Sequence, residues 1–340
     1  MRRRVPWVLI LGLLAGSLAQ AAAPGYHLIK KIPLGGEGGW DYLTVDGAAR
    51  RLYVSRATHV VVVDLDTEKP VGDIADTPGV HGIALAPELN RGFISCGKED
   101  VAVVFDLKTL KVLDRVKTGS NPDAILYDPA TRRVFTFNGR SKDATAFDAA
   151  TGKVVGTVPL GGKPEFSATD GRGRVYANIE DTSEVVEIDS RRLAVLKRIA
   201  LKPGEEPSGL GFDAKGGRTF SGCGNKLMAV ADVKAGLLIA TLPIGAGVDG
   251  NGFDPGTGLA FSANGEGTLT VVRQTSPGRF EVAETVPTQR GARTMAIDPT
   301  THRIYLPTAD FGPAPAPTAD NPRPRPAILK DTFVILVVGP

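Results

Sequence analysis

Seven polar residues recur along the chain at spacings of 40, 42, 42, 43, 41 and 44: Asp41, His81, Asp123, Glu165, Ser208, Asp249 and Arg293. Brought to one place, four carboxylates, an imidazole, a hydroxyl and a guanidinium have distinctive chemistry. Carboxylates at close range repel, and Arg293 offsets only one of them. The rest must be solvated, hold protons, or share a cation. An oxygen-rich set suits Ca²⁺, Mg²⁺ or Mn²⁺, and a nitrogen from His81 admits a softer metal. The candidate metal ligands are therefore Asp41, His81, Asp123, Glu165 and Asp249. An ion there would polarise an ester or activate water, with His81 or a carboxylate as base. A plainer reading also stands. Asn121-Pro122-Asp123, Lys163-Pro164-Glu165 and Glu206-Pro207-Ser208 are ordinary turn sequences. Their polar residues would then face water or form a weak small-ligand site.

Each of the seven stands five residues before a fixed point of a longer repeat. In six cases that point is an Asp closing a short apolar run: Asp46, Asp128, Asp170, Asp213, Asp254 and Asp298. One repeat has Ala86-Pro87 instead. A second Asp follows about eighteen residues later, at Asp64, Asp106, Asp148, Asp189 and Asp232. These repeated Asp residues are expected to cap strands and make turns. Self-similarity with a period of about forty-two residues means a repeat architecture. Each unit reads as four strands of four to six residues, rich in Val, Ile and Phe and separated by Gly, Pro, Asp and Asn. No stretch after residue 23 holds a helical apolar period. Four strands per unit and seven units predict an all-β, seven-bladed β-propeller with antiparallel blades.

The last unit offers only three strands, Thr294–Ile297, Arg303–Leu306 and Thr332–Val338. Tyr26–Leu34 lies ahead of the first unit and matches the fourth: Ile32-Pro33-Leu34 parallels Val158-Pro159-Leu160 and Leu242-Pro243-Ile244. The N-terminal strand should therefore complete the last blade. In that ring the seven polar residues open the innermost strands and converge on the mouth of the central channel.

Leu52-Tyr53-Val54-Ser55, Val175-Tyr176-Ala177-Asn178 and the recurrent Asp-Pro turns resemble the YVTN-repeat (YncE-like) family of seven-bladed propellers. The likeness covers nearly all of the chain after residue 23. It implies the fold, and an envelope protein that binds or assists others. It assigns no activity.

Residues 1–23 read as a Sec-type secretory signal. Arg2-Arg3-Arg4 are followed by an apolar run, Val5–Leu18, too short for a comfortable membrane span, and then by Ala19-Gln20-Ala21. A periplasmic or secreted location is expected, with residues 24–340 forming one domain that has no membrane span. The chain carries 40 Lys+Arg against 37 Asp+Glu, and the excess of three is Arg2, Arg3 and Arg4. The domain itself is neutral, which argues against nucleic acid as a partner. Cys96 and Cys223 occupy the same register three blades apart, too far for a disulfide. Two buried free thiols are expected.

A second ring is expected further out on the same face, at Arg56, His59, Asn138, Glu180, Asn225, Asn264 and Asp310. Trp40, beside Asp41, is either a ligand platform or an aromatic packed between blades 7 and 1. An insertion at 311–329 breaks the repeat with two proline-rich runs. It is either a lid or docking strip, with Arg323 and Arg325 meeting an acidic partner, or a solvated loop. Gly245-Ala246-Gly247-Val248-Asp249-Gly250 matches a dinucleotide-binding pattern, but no helix follows it. The leading functional expectation is a monomeric binding or scaffolding propeller that recognises a protein or small ligand at the channel mouth, without catalysis. Its ligand-binding candidates are Trp40, Asp41, Arg56, His81, Asp123, Glu165, Ser208, Asp249 and Arg293. The alternatives are a divalent-metal-assisted hydrolase acting on lactones or esters, and a purely structural envelope protein.

Overall fold

The computed structural model describes residues 25–316, 318 and 324–340. The expected signal segment and Arg323 lie outside the described residues. Seven four-stranded antiparallel sheets form the ring. Six are sequential, and the seventh has the order Ala296–Asp298, Arg303–Thr308, Val334–Gly339 and His27–Pro33 from the inside out. The closing strand pairs from His27↔Gly339 to Pro33↔Val334. The start and end of the chain are thus joined by a β-ladder, as the three-strand count predicts. The only helical element among the described residues is a single turn, Pro87–Leu89. No helix among them is long and apolar enough to cross a membrane.

The middle strands carry nearly continuous buried runs because both of their faces are covered. Arg51–Arg56, Arg91–Cys96 and Val101–Asp106 are examples. The core divides into seven clusters, one for each junction between neighbouring blades. Tyr53 and Phe105 meet between blades 1 and 2, and Phe220 and Phe253 stack between blades 5 and 6. The junction of blades 7 and 1 buries Ile32, Leu52, Tyr305 and Phe333. Ring closure therefore has its own hydrophobic core as well as its ladder. Cys96 and Cys223 are free and buried in separate clusters, and burial pushes each thiol up to about 12.

The repeated aspartates make turns. Asp64, Asp106, Asp148, Asp189 and Asp232 each accept hydrogen bonds from the backbone N–H groups two and three residues on. The first set also ties blades together. Asp298 accepts from Arg50 Nη1 at 2.7 Å, Asp254 pairs with His302 Nδ1 at 2.7 Å, and Asp128 accepts from Ser190 Oγ at 2.6 Å. Where Ala86-Pro87 replaces the Asp, Pro87 starts the short helical turn and Asn90 ends it in the left-handed region.

Blades 5, 6 and 7 approach one another unusually closely at their inner strands. A methyl at Gly209 would meet the Asn251 nitrogen at 2.3 Å, and one at Gly250 would meet the Met295 nitrogen at 2.9 Å. Both neighbours are backbone and cannot rotate away. The glycine-rich run from Gly245 thus leads into an inner strand, Val248–Asp254, with no helix after it. Gly209→Ala is expected to destabilise the protein by about 1–3 kcal/mol through overpacking. Gly39→Ala, with nothing within 4 Å of the new methyl, should change stability by less than about 0.5 kcal/mol. Denaturant midpoints of the two variants provide the check, and equal midpoints would contradict the close approach.

Candidate functional site at the channel mouth

The inner strands of blades 2 to 6 share one irregularity. In blade 2, Val80 pairs with Cys96 and Ile83 with Ile94, so the ladder breaks at His81-Gly82. Equivalent breaks follow Pro122, Pro164, Pro207 and Val248. The residues in these breaks include His81, Asp123, Glu165, Ser208 and Asp249. A bulge releases its side chain from the alternation of the ladder and re-aims it. In blades 1 and 7 the inner strand begins later, so Asp41 and Arg293 sit on the preceding loops.

Polar side chains from the neighbouring strands pin these segments. Asp41 donates its N–H to Ser55 Oγ at 2.9 Å, and its carbonyl accepts from Thr294 Oγ1 at 2.7 Å. Ser95 Oγ accepts from Gly82 N–H at 2.8 Å and donates to the Asp123 carbonyl. Asn178, fully buried, donates to the Ser208 carbonyl at 2.8 Å. Gly97 leaves room for the imidazole, since a methyl there would lie 2.9 Å from His81 Nε2.

The ring resolves into three groups. His81 Nδ1 is 2.6 Å from Asp41 Oδ2 and 3.7 Å from Asp123 Oδ1. Lys163 binds Glu165 at 2.6 Å and also pairs with Glu180. Arg293 Nε is 3.0 Å from Asp249 Oδ2. Ser208 donates to the Val248 carbonyl at 3.2 Å. Asp41, Asp123, Glu165 and Asp249 line one cavity of about 340 Å³, with Tyr42 buried at its wall. Asp123 Oδ1 is buried there without a hydrogen-bond partner among the described residues.

The charges are managed by protons. Burial and the charge of Asp123 push Glu165 up to about 8 against the pull of Lys163. Burial raises Asp249 to about 7 although Arg293 is beside it, and raises Asp123 to about 6 although His81 faces it. Burial pulls His81 down, but the Asp41 hydrogen bond and the charges of Asp123, Asp41 and Glu165 outweigh it and lift the imidazole to about 9. Tyr42 is held well above its usual value by burial and the same carboxylates. Near neutral pH the site therefore contains an imidazolium between two carboxyls and at least one protonated acid.

Of the five candidate metal ligands, Asp41, His81 and Asp123 bring ligand atoms within 4.8 Å of one another; Glu165 and Asp249 are not part of that group. Arg56 requires a correction. It is only 3% exposed, lies 3.7 Å over the Phe333 ring, and donates to the Gly35 and Glu37 carbonyls. It fastens the loop before blade 1 to blade 7 and does not face the mouth. The expected outer ring breaks up for a similar reason. Asn138 and Asn264 are buried and bonded internally to Thr145 and Thr270, leaving Glu180 as the member that reaches the cavity. Trp40 packs at the junction of blades 7 and 1. It packs 5.3 Å from Phe333 and forms a wall of a neighbouring pocket. Lys163 was not among the expected residues. Its signal was the Lys163-Pro164-Glu165 spacing, since residues two apart in an extended segment point the same way.

The fold and site define a seven-bladed β-propeller with a polar, proton-rich channel mouth. The chain is similar to hydrazine synthase of Kuenenia stuttgartiensis, with 16% sequence identity and a TM-score of 0.65 over 87% of this chain and 96% of that one. At that identity the likeness shows the fold alone. No protein-family model matches, and no curated protein does.

The site gives stability a defined pH dependence. Asp123, Glu165, Asp249 and His81 all bind their protons more tightly folded than unfolded. Asp64, Asp106, Asp148, Asp181, Asp189 and Asp298, all held below the usual carboxylate range, act in the opposite sense, but only below about pH 5. Between about pH 5 and pH 9 the folded state carries more protons, so stability must fall as pH rises. The carboxyl contributions fade first and that of His81 last, between about pH 6.5 and 9. Denaturant midpoints should be lower at pH 9 than at pH 5. Glu165→Gln should flatten the slope between pH 4 and about 8, the value to which Glu165 is raised. A slope of opposite sign would refute the proton-rich site.

Proposed function

We propose that this protein is an exported β-propeller of the YVTN-repeat (YncE-like) kind that binds a small ligand, or a short segment of a partner, at the channel mouth. The observation that carries the reading is Asp123, which lines the cavity while its Oδ1 is buried with no hydrogen-bond partner among the described residues, His81 Nδ1 standing 3.7 Å away. An unmet buried acceptor costs about 1–3 kcal/mol, which a ligand donor would recover. The group recognised would be an ammonium or another multiple N–H donor, matched to Asp123, Glu180 and Asp41. The Tyr53 and Tyr176 repeat segments support the family, and the first 23 residues support export to the periplasm or beyond the cell.

A second reading rests on the Asp41, His81 and Asp123 cluster. There a divalent cation such as Mn²⁺, Mg²⁺ or Ca²⁺ would replace the imidazolium proton, and the raised Glu165 would act as general acid towards an ester or lactone. Because the ion must displace a proton from His81, its binding would tighten as pH rises.

One set of melting curves tests both. Spermidine, lysine and arginine serve as amine probes, and MnCl₂ and CaCl₂ as ion probes. The binding reading expects an amine probe to raise Tm, and expects Asp123→Asn to abolish the shift without lowering the ligand-free Tm. A probe at one hundred times its Kd would add about 2.7 kcal/mol. The metal reading expects stabilisation by an ion, loss with chelator, and a larger effect at pH 9 than at pH 6. Shifts that persist in Asp123→Asn would exclude both readings.

A further inference from the structure

The pocket beside Trp40 adjoins the carboxylate cavity, sharing Arg293 and Arg325 with it, and the rest of its lining has the opposite chemistry. It has a volume of about 410 Å³. Its walls are Trp40, Phe311, Pro326 and Ile328, and its charged residues are Arg290, Arg293 and Arg325. No carboxylate lines it among the described residues. Arg293 spends its Nε on Asp249, leaving the two terminal nitrogens of the guanidinium. The Arg290 guanidinium lies 5.9 Å from the centre of the Phe311 ring, and neither it nor Arg325 has an ion-pair partner among the described residues.

The base of the insertion is built to form this pocket. Phe311 bridges to Ile328, Gly312 N–H donates to the Ala327 carbonyl at 2.9 Å, and Leu329 N–H donates to the Asp310 carbonyl at 2.8 Å. Two residues more than fifteen positions apart are thereby fixed over the ring. The Phe311 ring lies against Gly291, where a methyl would meet it at 2.6 Å, and Trp40 is 6.1 Å from Phe311. Glycines at 39, 247, 265 and 291 keep the floor clear of side chains.

We propose that this pocket is a second ligand site, taking a small organic carboxylate whose anionic end meets Arg290 and Arg325 and whose flat apolar body lies against the wall formed by Trp40, Phe311 and Ile328. Arg293 is already paired with Asp249, whereas Arg290 and Arg325 have no ion-pair partner among the described residues, and an anion held between them would supply one. Guanidinium groups match a carboxylate fork with two parallel N–H donors, and aromatic walls favour a flat body over a bare inorganic anion. Arg293 and Arg325 also line the channel-mouth cavity, so what sets this site apart from that reading is Trp40, Arg290, Phe311 and Ile328, which take no part in that cavity.

Tryptophan fluorescence supplies a local probe. The chain has two tryptophans, Trp7 and Trp40. All seven blades are complete within residues 27–339, so protein beginning at residue 24 carries the whole fold and Trp40 as its one tryptophan. Phenylacetate, phenylacetamide and phenethylammonium are titrated against it. Phenylacetate should change the emission saturably, and the neutral and cationic analogues should bind at least about tenfold more weakly, as loss of a charge-assisted hydrogen bond requires. Arg325→Gln and Arg290→Gln should each weaken phenylacetate by about tenfold with unchanged denaturant midpoints. Arg325 is exposed on the insertion, so its variant tests binding free of folding effects. Asp123→Asn should bind phenylacetate like the parent. Equal binding of acid and amide, no saturable change, or unaltered affinity in both arginine variants would overturn the proposal. Loss of phenylacetate binding in Asp123→Asn would place the ligand in the channel and overturn it as well. A negative result here leaves the amine and ion titrations of the channel mouth untouched, so the two sites fail separately.

Discussion

No blade of this protein can bury both of its faces alone, and the structure follows from that constraint. Each sheet needs a neighbour on either side, so the chain must close into a ring. Closure uses a ladder from His27–Pro33 to Val334–Gly339 and a hydrophobic junction containing Ile32, Leu52, Tyr305 and Phe333. Arg56 stacked on Phe333 and the Arg50–Asp298 ion pair reinforce the same seam. Once the ring is closed, the inner strands are forced together around an axis. Whatever side chains open those strands must then share a small volume.

At the channel mouth that volume holds mostly carboxyls. Ionised together they would repel strongly in a poorly hydrated space. The protein divides them among three cations, with His81 facing Asp41 and Asp123, Lys163 facing Glu165 and Glu180, and Arg293 facing Asp249. Protons held by Glu165 and Asp249 supply the remainder. Beside this cavity, the insertion gathers the arginines that have no such partners. Arg293 and Arg325 stand at the boundary and line both spaces, so regions of opposite electrostatic character adjoin on one face of the disc.

The fold was legible because its signals repeat. An Asp turn that recurs every forty-odd residues averages out the ambiguity of any single short strand, and the missing fourth strand of the last unit announces the closure. Register alone also brought Asp41, His81 and Asp123 together. What stayed hidden depended on contacts distant in sequence. Arg56 reads as a surface arginine until Phe333, from the far end of the chain, lies beneath it. Asn138 and Asn264 read as loop polars until their bonds to Thr145 and Thr270 turn them inward. The proline-rich composition of the insertion gave no sign of the bridge between Phe311 and Ile328, because one residue pair leaves no periodic trace.

The ladder breaks beside the channel have a consequence for how such a protein can change over generations. His81, Asp123, Glu165, Ser208 and Asp249 sit where strand pairing is already interrupted, while Ser95 and Asn178, which pin the segments of His81, Asp123 and Ser208, belong to neighbouring strands. Replacing one of the five alters the lettering around the mouth and leaves the pairing of the blade as it was. Selection can therefore rewrite what the ring recognises one position at a time, without first solving the folding problem again.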